Sequence, residues 1–366
     1  MSATNANRRN RSAASRPTGW VRRLVDVEPQ AVSALWWSFA YFFCLLCAYY
    51  ILRPLREEMG IAGGVDQLPW VFTGTFLAML AAVPLFGAVT SRLPRRRFLP
   101  LVYYFFIANI LIFHALFQFE AGSAGTARAF FIWVSVFNLF VVSVFWSFMV
   151  DLFTSEQGKR LFGFIAAGGS LGAVTGPAAT ALLAAPLGPV NLLLVSAGFL
   201  ALAILCIRRL NARAARDPRG RAAVVSGGKP PGPEAALGGG MLAGVPLVLC
   251  SPYLLAIALF ILLFTTLSTF LYFEQAHIVA AAYSDPAQRT ALFATVDLAV
   301  NVLTVLIQAL LTGRLLPRLG VAAGLAALPL FSAIGFAALA AAPVLTVLIV
   351  FQVLRRAGDY AVTRPA

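Results

Sequence analysis

Charge is scarce in this chain, and acid is scarcer than base. Of 366 residues only 11% are Asp, Glu, Lys or Arg, and 14 carboxylates face 28 basic side chains. A soluble domain carries about 25% charged and about 45–50% apolar residues. Here 60% are hydrophobic and the mean hydropathy is +0.84, which excludes both an ordinary soluble enzyme and a disordered chain. The four cysteines, Cys44, Cys47, Cys206 and Cys250, sit in or beside apolar runs, so no disulfide framework is implied. The two histidines, His114 and His277, are too far apart in sequence to suggest a metal site. There is no phosphate-cradling glycine loop, no nucleophile elbow and no His-Glu-x-x-His run. ATPase and hydrolase chemistry are therefore without visible residues, and no cofactor is expected. The net charge of +14 points to nucleic acid only when basic residues cluster on a folded face. Here they punctuate apolar stretches, so the expected partner is a lipid bilayer and not a nucleic acid.

A bilayer core requires about 20 mostly apolar residues per helix, because lipid offers backbone amides no partner. The sequence predicts such spans over Ser33–Leu52, Pro69–Val89, Phe98–Phe119, Ala129–Phe153, Phe164–Ala185 and Val190–Ile207. Four more follow a polar interval, over Tyr253–Phe273, Ala291–Gly313, Val321–Ala341 and Pro343–Tyr360. The expected domains are a basic tail (1–32), a six-helix bundle (33–207), a Gly/Pro/Arg-rich linker (208–248) and a second, incomplete bundle (249–366). With the N-terminus cytoplasmic, 24 of the 28 basic residues fall on the cytoplasmic side; only Arg53, Arg56, Arg128 and Arg289 fall elsewhere. The positive-inside tendency thus predicts a multi-pass inner (plasma) membrane protein with its N-terminus inside. A monomer is the default expectation.

Two segments repeat one pattern. Gly87-Ala-Val-Thr-Ser-Arg92-Leu-Pro-Arg95-Arg96 lies between the second and third spans, and Gly313-Arg-Leu-Leu-Pro-Arg318-Leu-Gly320 between the eighth and ninth. Each resembles the G-x-x-x-D-R-x-G-R-R loop of the major facilitator superfamily, with Ser91 or Pro317 in place of the acid. Within the fifth span, Gly163, Gly172, Gly176 and Pro177 resemble that superfamily's antiporter motif, with Thr180 where a glycine is expected. Physically, Gly168, Gly172 and Gly176 make a small-residue face for close helix approach. The resemblance implies an all-α membrane protein with a two-bundle fold of twelve helices related as parallel repeats. The copies lie 226 residues apart. On that spacing the chain holds about ten of the twelve, with two spans expected beyond Ala366.

Ionisable groups inside spans are costly and are functional candidates by default. Tyr49, Arg53 and Arg56 share a helical face, and paired guanidiniums suit carboxylate or phosphate. The same residues also read as a helix end capped by a surface Arg53–Glu57 pair. Asp151, closing the fourth span, reads equally as a gate acid or an interfacial turn. Thr265, Ser268 or Thr269, and Tyr272 lead to Glu274; Asp297, Asn301, Thr304 and Gln308 form a polar stripe in the eighth span. That stripe faces a cavity or makes interhelical hydrogen bonds. Arg355, Arg356 and Asp359 either line the cavity or snorkel to the surface.

The run Tyr50-Ile-Leu-Arg53-x-x-Arg56-Glu57, with Phe145-Trp146-x-Phe148-x-x-Asp151 and Lys159-Arg160-Leu-Phe162, resembles the bacterial and plastid ATP/ADP translocase family. That resemblance implies substrate-related roles for Arg56, Asp151 and Glu274. The function expected from residues and resemblance together is a non-enzymatic secondary transporter of a small anion, a nucleotide or organophosphate among the candidates. Tyr49, Arg53, Arg56 and Asn301 would bind the substrate; Asp151, Glu274 and Asp297 would gate or couple, a proton being the expected coupling ion. The alternative is a proton-coupled permease or exporter of a neutral or cationic solute.

Overall fold

The computed structural model describes residues 29–92, 95–119, 123–153, 155–214 and 249–363. Ten long helices account for them: α1 (Pro29–Ala62), α2 (Leu68–Arg92), α3 (Arg95–Phe119), α4 (Ala124–Leu152), α5 (Ser155–Leu187), α6 (Leu192–Ala214), α7 (Pro252–Ala282), α8 (Pro286–Ile307), α9 (Gly313–Ala341) and α10 (Leu345–Gly358). A short 3-10 turn, Val65–Gln67, joins α1 to α2, and wider π-helical turns occupy Gln308–Thr312 and Asp359–Thr363. Among the described residues there is no strand, and eight helices are long and apolar enough to cross a membrane. At 14 residues α10 is shorter than a full span.

At two helix starts that precede their predicted spans, capping chemistry accounts for the difference. Ser123 starts α4, its hydroxyl accepting from the Thr126 amide at 3.4 Å. Asp285 starts α8, accepting from the Ala287 amide at 3.1 Å, with Pro286 in the first turn. α6 continues past residue 208, the predicted start of the linker, to Ala214. Arg208 donates to the Tyr104 hydroxyl at 2.6 Å, and Arg209 and Arg213 lie over Trp37. The repeated loop pattern is also more helical than expected. α2 runs to Arg92 and α3 restarts at Arg95. Gly313 to Gly320 all lie in the first turns of α9, and a π-helical turn directly precedes Gly313. The side chains of Arg92, Arg95, Arg96 and Arg318, and the surroundings of Gly87, Gly313 and Gly320, lie outside the described residues, as do residues 1–28 and 215–248.

The core forms around α1. Leu35, Tyr41, Leu45, Ile51 and Leu52 are fully buried against α4, α5 and α6. The aromatic run of α4 is mostly core: Phe130, Phe137 and Phe145 are buried, and Phe145 stacks on Phe42 with centroids 4.1 Å apart. α5 approaches α1 most closely along its glycine face. A Cβ on Gly168 would meet the Phe39 carbonyl oxygen at 2.6 Å, one on Gly172 the Phe43 oxygen at 2.5 Å, and one on Gly176 the Cys47 oxygen at 2.8 Å. Gly163, counted in the sequence motif, has nothing within 4 Å. It plays no part in this packing because, nine residues before Gly172, it lies on the opposite face of α5.

The opposing atoms are backbone oxygens that cannot rotate away, so Gly172→Val must push α5 from α1. It is expected to cost about 1–3 kcal/mol or more as overpacking, read as a lowered melting temperature of the purified protein in detergent. Gly163→Ala should leave the melting temperature unchanged; equal losses for the two would contradict the packing argument.

Candidate functional site

Arg53, Arg56 and Glu57 recur on α1 at helical spacing, so the helix presents them on one side near its α2 end; α1 runs through Pro54 without a break. Across from them α7 contributes Ser268, Tyr272 and Gln275, again at spacings of four and three. α8 contributes Asp297, and α10 with its π turn contributes Gln352, Arg355, Arg356, Asp359 and Tyr360. Together they line a cavity of about 220 Å³. The cavity draws on helices from both the α1–α6 and the α7–α10 sets.

Asp297 is its electrostatic centre. Its carboxylate is 4% exposed and receives Arg356 Nη2 at 2.7 Å on one oxygen, with Arg53 Nε 3.5 Å from the other. One acid is thus shared by guanidiniums from α1 and α10. Arg56 donates to Glu57 Oε1 at 2.7 Å and to Ser135 of α4 at 3.3 Å, its guanidinium 4.8 Å above the Phe131 ring. Arg355 donates to Ser268 at 2.7 Å and to Ser332 of α9 at 3.1 Å, over the Phe264 ring. Gln275 and Gln352, both buried, bond to each other through their amides between α7 and α10. Glu57 Oε2 and Arg56 Nε are buried and make no hydrogen bond among the described residues.

A second ion pair closes the neighbouring region at the α1–α2 end. Arg289 Nε of α8 lies 2.9 Å from Glu58 Oε2, and Glu58 is fully buried. Ile61, Leu68, Ala276, Val279 and Phe293 form a small apolar cluster at the same end. Arg128 donates to the Gly63 carbonyl at 2.7 Å. Each of the four basic residues that stood outside the positive-inside pattern, Arg53, Arg56, Arg128 and Arg289, is therefore held by a nearby acceptor. Burial without a partner would cost several kcal/mol.

Several sequence-based assignments change. Glu274 is exposed on α7 and does not reach the cavity wall, because the helical phase that turns Tyr272 and Gln275 inward turns it away. Tyr49 is buried in the core cluster around α1 and is not on the wall. The side chains of Asp151, Lys159 and Arg160 lie outside the described residues. The α8 stripe divides: Asp297 enters the cavity, while Gln308 donates to the Tyr360 carbonyl at 3.1 Å.

Asn301 belongs to an interface. Its Nδ2 donates to the Ala173 carbonyl of α5 at 2.7 Å. That carbonyl would ordinarily accept from residue 177 of the same helix, but Pro177 has no N–H. The proline frees an acceptor and Asn301 supplies the missing donor from across the interface, as membrane helices require. The wall residues that sequence reasoning overlooked, Gln275 and Gln352, carried a usable signal. Gln352, Arg355, Arg356 and Asp359 follow helical spacing in an otherwise apolar segment.

The family model of the Major Facilitator Superfamily matches residues 37–358. The chain belongs to the Major Facilitator Superfamily. It is therefore a multi-pass membrane protein of a transporter superfamily, all-α throughout its described residues, with its charged cavity between helices as in a secondary carrier. A comparison with characterised proteins finds no match.

The proline-freed carbonyl makes a specific forecast. Asn301→Ala orphans Ala173 O and is expected to cost about 1–3 kcal/mol, measured by thermal unfolding in detergent. Pro177→Ala restores the intrahelical donor, so in that background Asn301→Ala should cost much less. A full-size penalty in both backgrounds would show that the bond has another role.

Proposed function

We propose that this protein moves a small anionic solute by alternating access, with the α1–α6 and α7–α10 sets rocking about the cavity. The cytoplasmic N-terminus and inner-membrane location follow from the charge distribution of the sequence and belong to the same proposal. The observation that carries the reading is Asp297, held by Arg53 and Arg356 at once. An incoming carboxylate or phosphate satisfies the same guanidiniums that Asp297 satisfies in its absence. Arg offers such groups a planar, two-pronged donor set. Because Arg53 and Arg356 come from opposite sets, an anion between them contacts both, which links occupancy to rocking.

Asp297 is then the coupling group. It holds both guanidiniums when no substrate is present, and an incoming anion takes its place. The narrower reading of a nucleotide or organophosphate exchanger draws support from the position of Arg56 on the cavity wall, and otherwise rests on the short sequence resemblances alone. A second reading, a proton-coupled permease for a neutral or cationic solute, draws on the three carboxylates Glu57, Asp297 and Asp359 lining the same space.

Uptake into proteoliposomes decides between them. With a panel of radiolabelled organic acids, sugar phosphates, nucleotides and organic cations, anion uptake is expected, and Arg53→Ala or Arg356→Ala should reduce it about tenfold or more. Arg356→Lys should restore only part, since an ammonium cannot reproduce the guanidinium fork. Uptake confined to neutral or cationic solutes and indifferent to both arginines would favour the permease.

A further inference from the structure

The cavity's charge inventory narrows the substrate class further, and this step rests on the anionic reading above. Among the described residues lining the cavity, four arginines (Arg53, Arg56, Arg355, Arg356) meet three carboxylates (Glu57, Asp297, Asp359), leaving a single net positive charge. Ionised groups in a low-dielectric site must be neutralised or carry a large penalty. One negative charge on the ligand balances this site. A second or third brings surplus charge against the three carboxylates, where like charges repel strongly.

Size points the same way. About 220 Å³ corresponds to roughly seven water molecules at about 30 Å³ each. It lies below the roughly 300–1,000 Å³ of pockets that take drug-sized ligands. A nucleoside di- or triphosphate brings more negative charge than that wall balances. The polar groups that remain are neutral. The buried Gln275–Gln352 amide pair, Ser268 and Tyr272 are arranged along α7 over about 10 Å, from the Arg355 end towards Arg56. They offer donors and acceptors to hydroxyl groups.

We propose that the cavity selects a compact organic monoanion, one carboxylate on a small hydroxylated frame, over nucleotides and other multiply charged solutes. The carboxylate sits between Arg53 and Arg356 in place of Asp297, and the hydroxylated end lies along Ser268, Tyr272 and Gln275. Asp297 is the specificity-determining residue, since its charge sets how many negative charges the ligand brings.

The test is calorimetric binding to the full chain in lipid nanodiscs, with lactate, glycerate and gluconate as monoanions. Malate, citrate and ADP are the multiply charged probes, and tetraethylammonium is the cation. One or more of the monoanions should bind about tenfold tighter than malate, citrate or ADP. Asp297→Asn adds one net positive charge and should shift the malate-to-monoanion preference towards malate by about tenfold. Glu57→Gln makes the same charge change at another point on the wall and should shift it the same way, which covers the case in which Asp297→Asn fails to fold. A purely structural role for these acids would weaken every probe equally, and that result would overturn the assignment of specificity. Tighter binding of malate, citrate or ADP to the unaltered protein would overturn the monoanion inference while leaving the anionic reading intact. Binding of tetraethylammonium alone, or of no probe, would overturn both.

Discussion

A carboxylate buried in the middle of a membrane helix bundle is tolerable only if cations surround it, and Asp297 meets that condition with two. Arg53 arrives from α1 and Arg356 from α10, so a single acid ties α1 to α10 through α8. The surrounding architecture follows from this need. α1 must pass close to α8, α7 and α10 must complete the wall, and the other arginines must find their own partners in Glu57, Ser268 and Ser332. Buried ion pairs of this kind contribute little net stability, but losing one member leaves an isolated charge. They constrain arrangement more than they add free energy.

The close contacts around the cavity obey a similar accounting of backbone groups. Glycines on α5 let it press against the carbonyl oxygens of α1. Pro177, one residue beyond Gly176, interrupts the hydrogen-bond ladder and leaves Ala173 O to be satisfied by Asn301 of α8. A pattern that reads in sequence as a packing motif is thus also an acceptor for the opposite helix set. Polar side chains between membrane helices gain their importance from the lack of competing water.

Much of this was legible in the sequence. Ten helices, eight of them long and apolar enough to span a bilayer, and the small-residue face of α5 match what composition and spacing suggest. Ser123, Asp285 and Pro286 even mark helix starts more accurately than hydropathy does. Other readings failed for identifiable reasons. Glu274 resembled a pathway acid because it ends a polar ladder, but its rotation about α7 places it outside the cavity. Asn301 shares a stripe with Asp297, yet one further turn along α8 brings it against α5 instead. Gly163 matched a motif letter without a neighbouring helix to approach.

Hydropathy and charge, both local properties of the chain, determined that this is a polytopic helical membrane protein, because lipid penalises exposed amides and charges wherever they occur. Pairing is not local. Arg53 and Asp297 are 244 residues apart, and the alternatives of surface ion pair and cavity cation were equally consistent with Arg53 seen on α1 alone. Only tertiary packing decided between them. A charge in a low-dielectric interior is defined by the group placed opposite it, and that group is supplied by another helix.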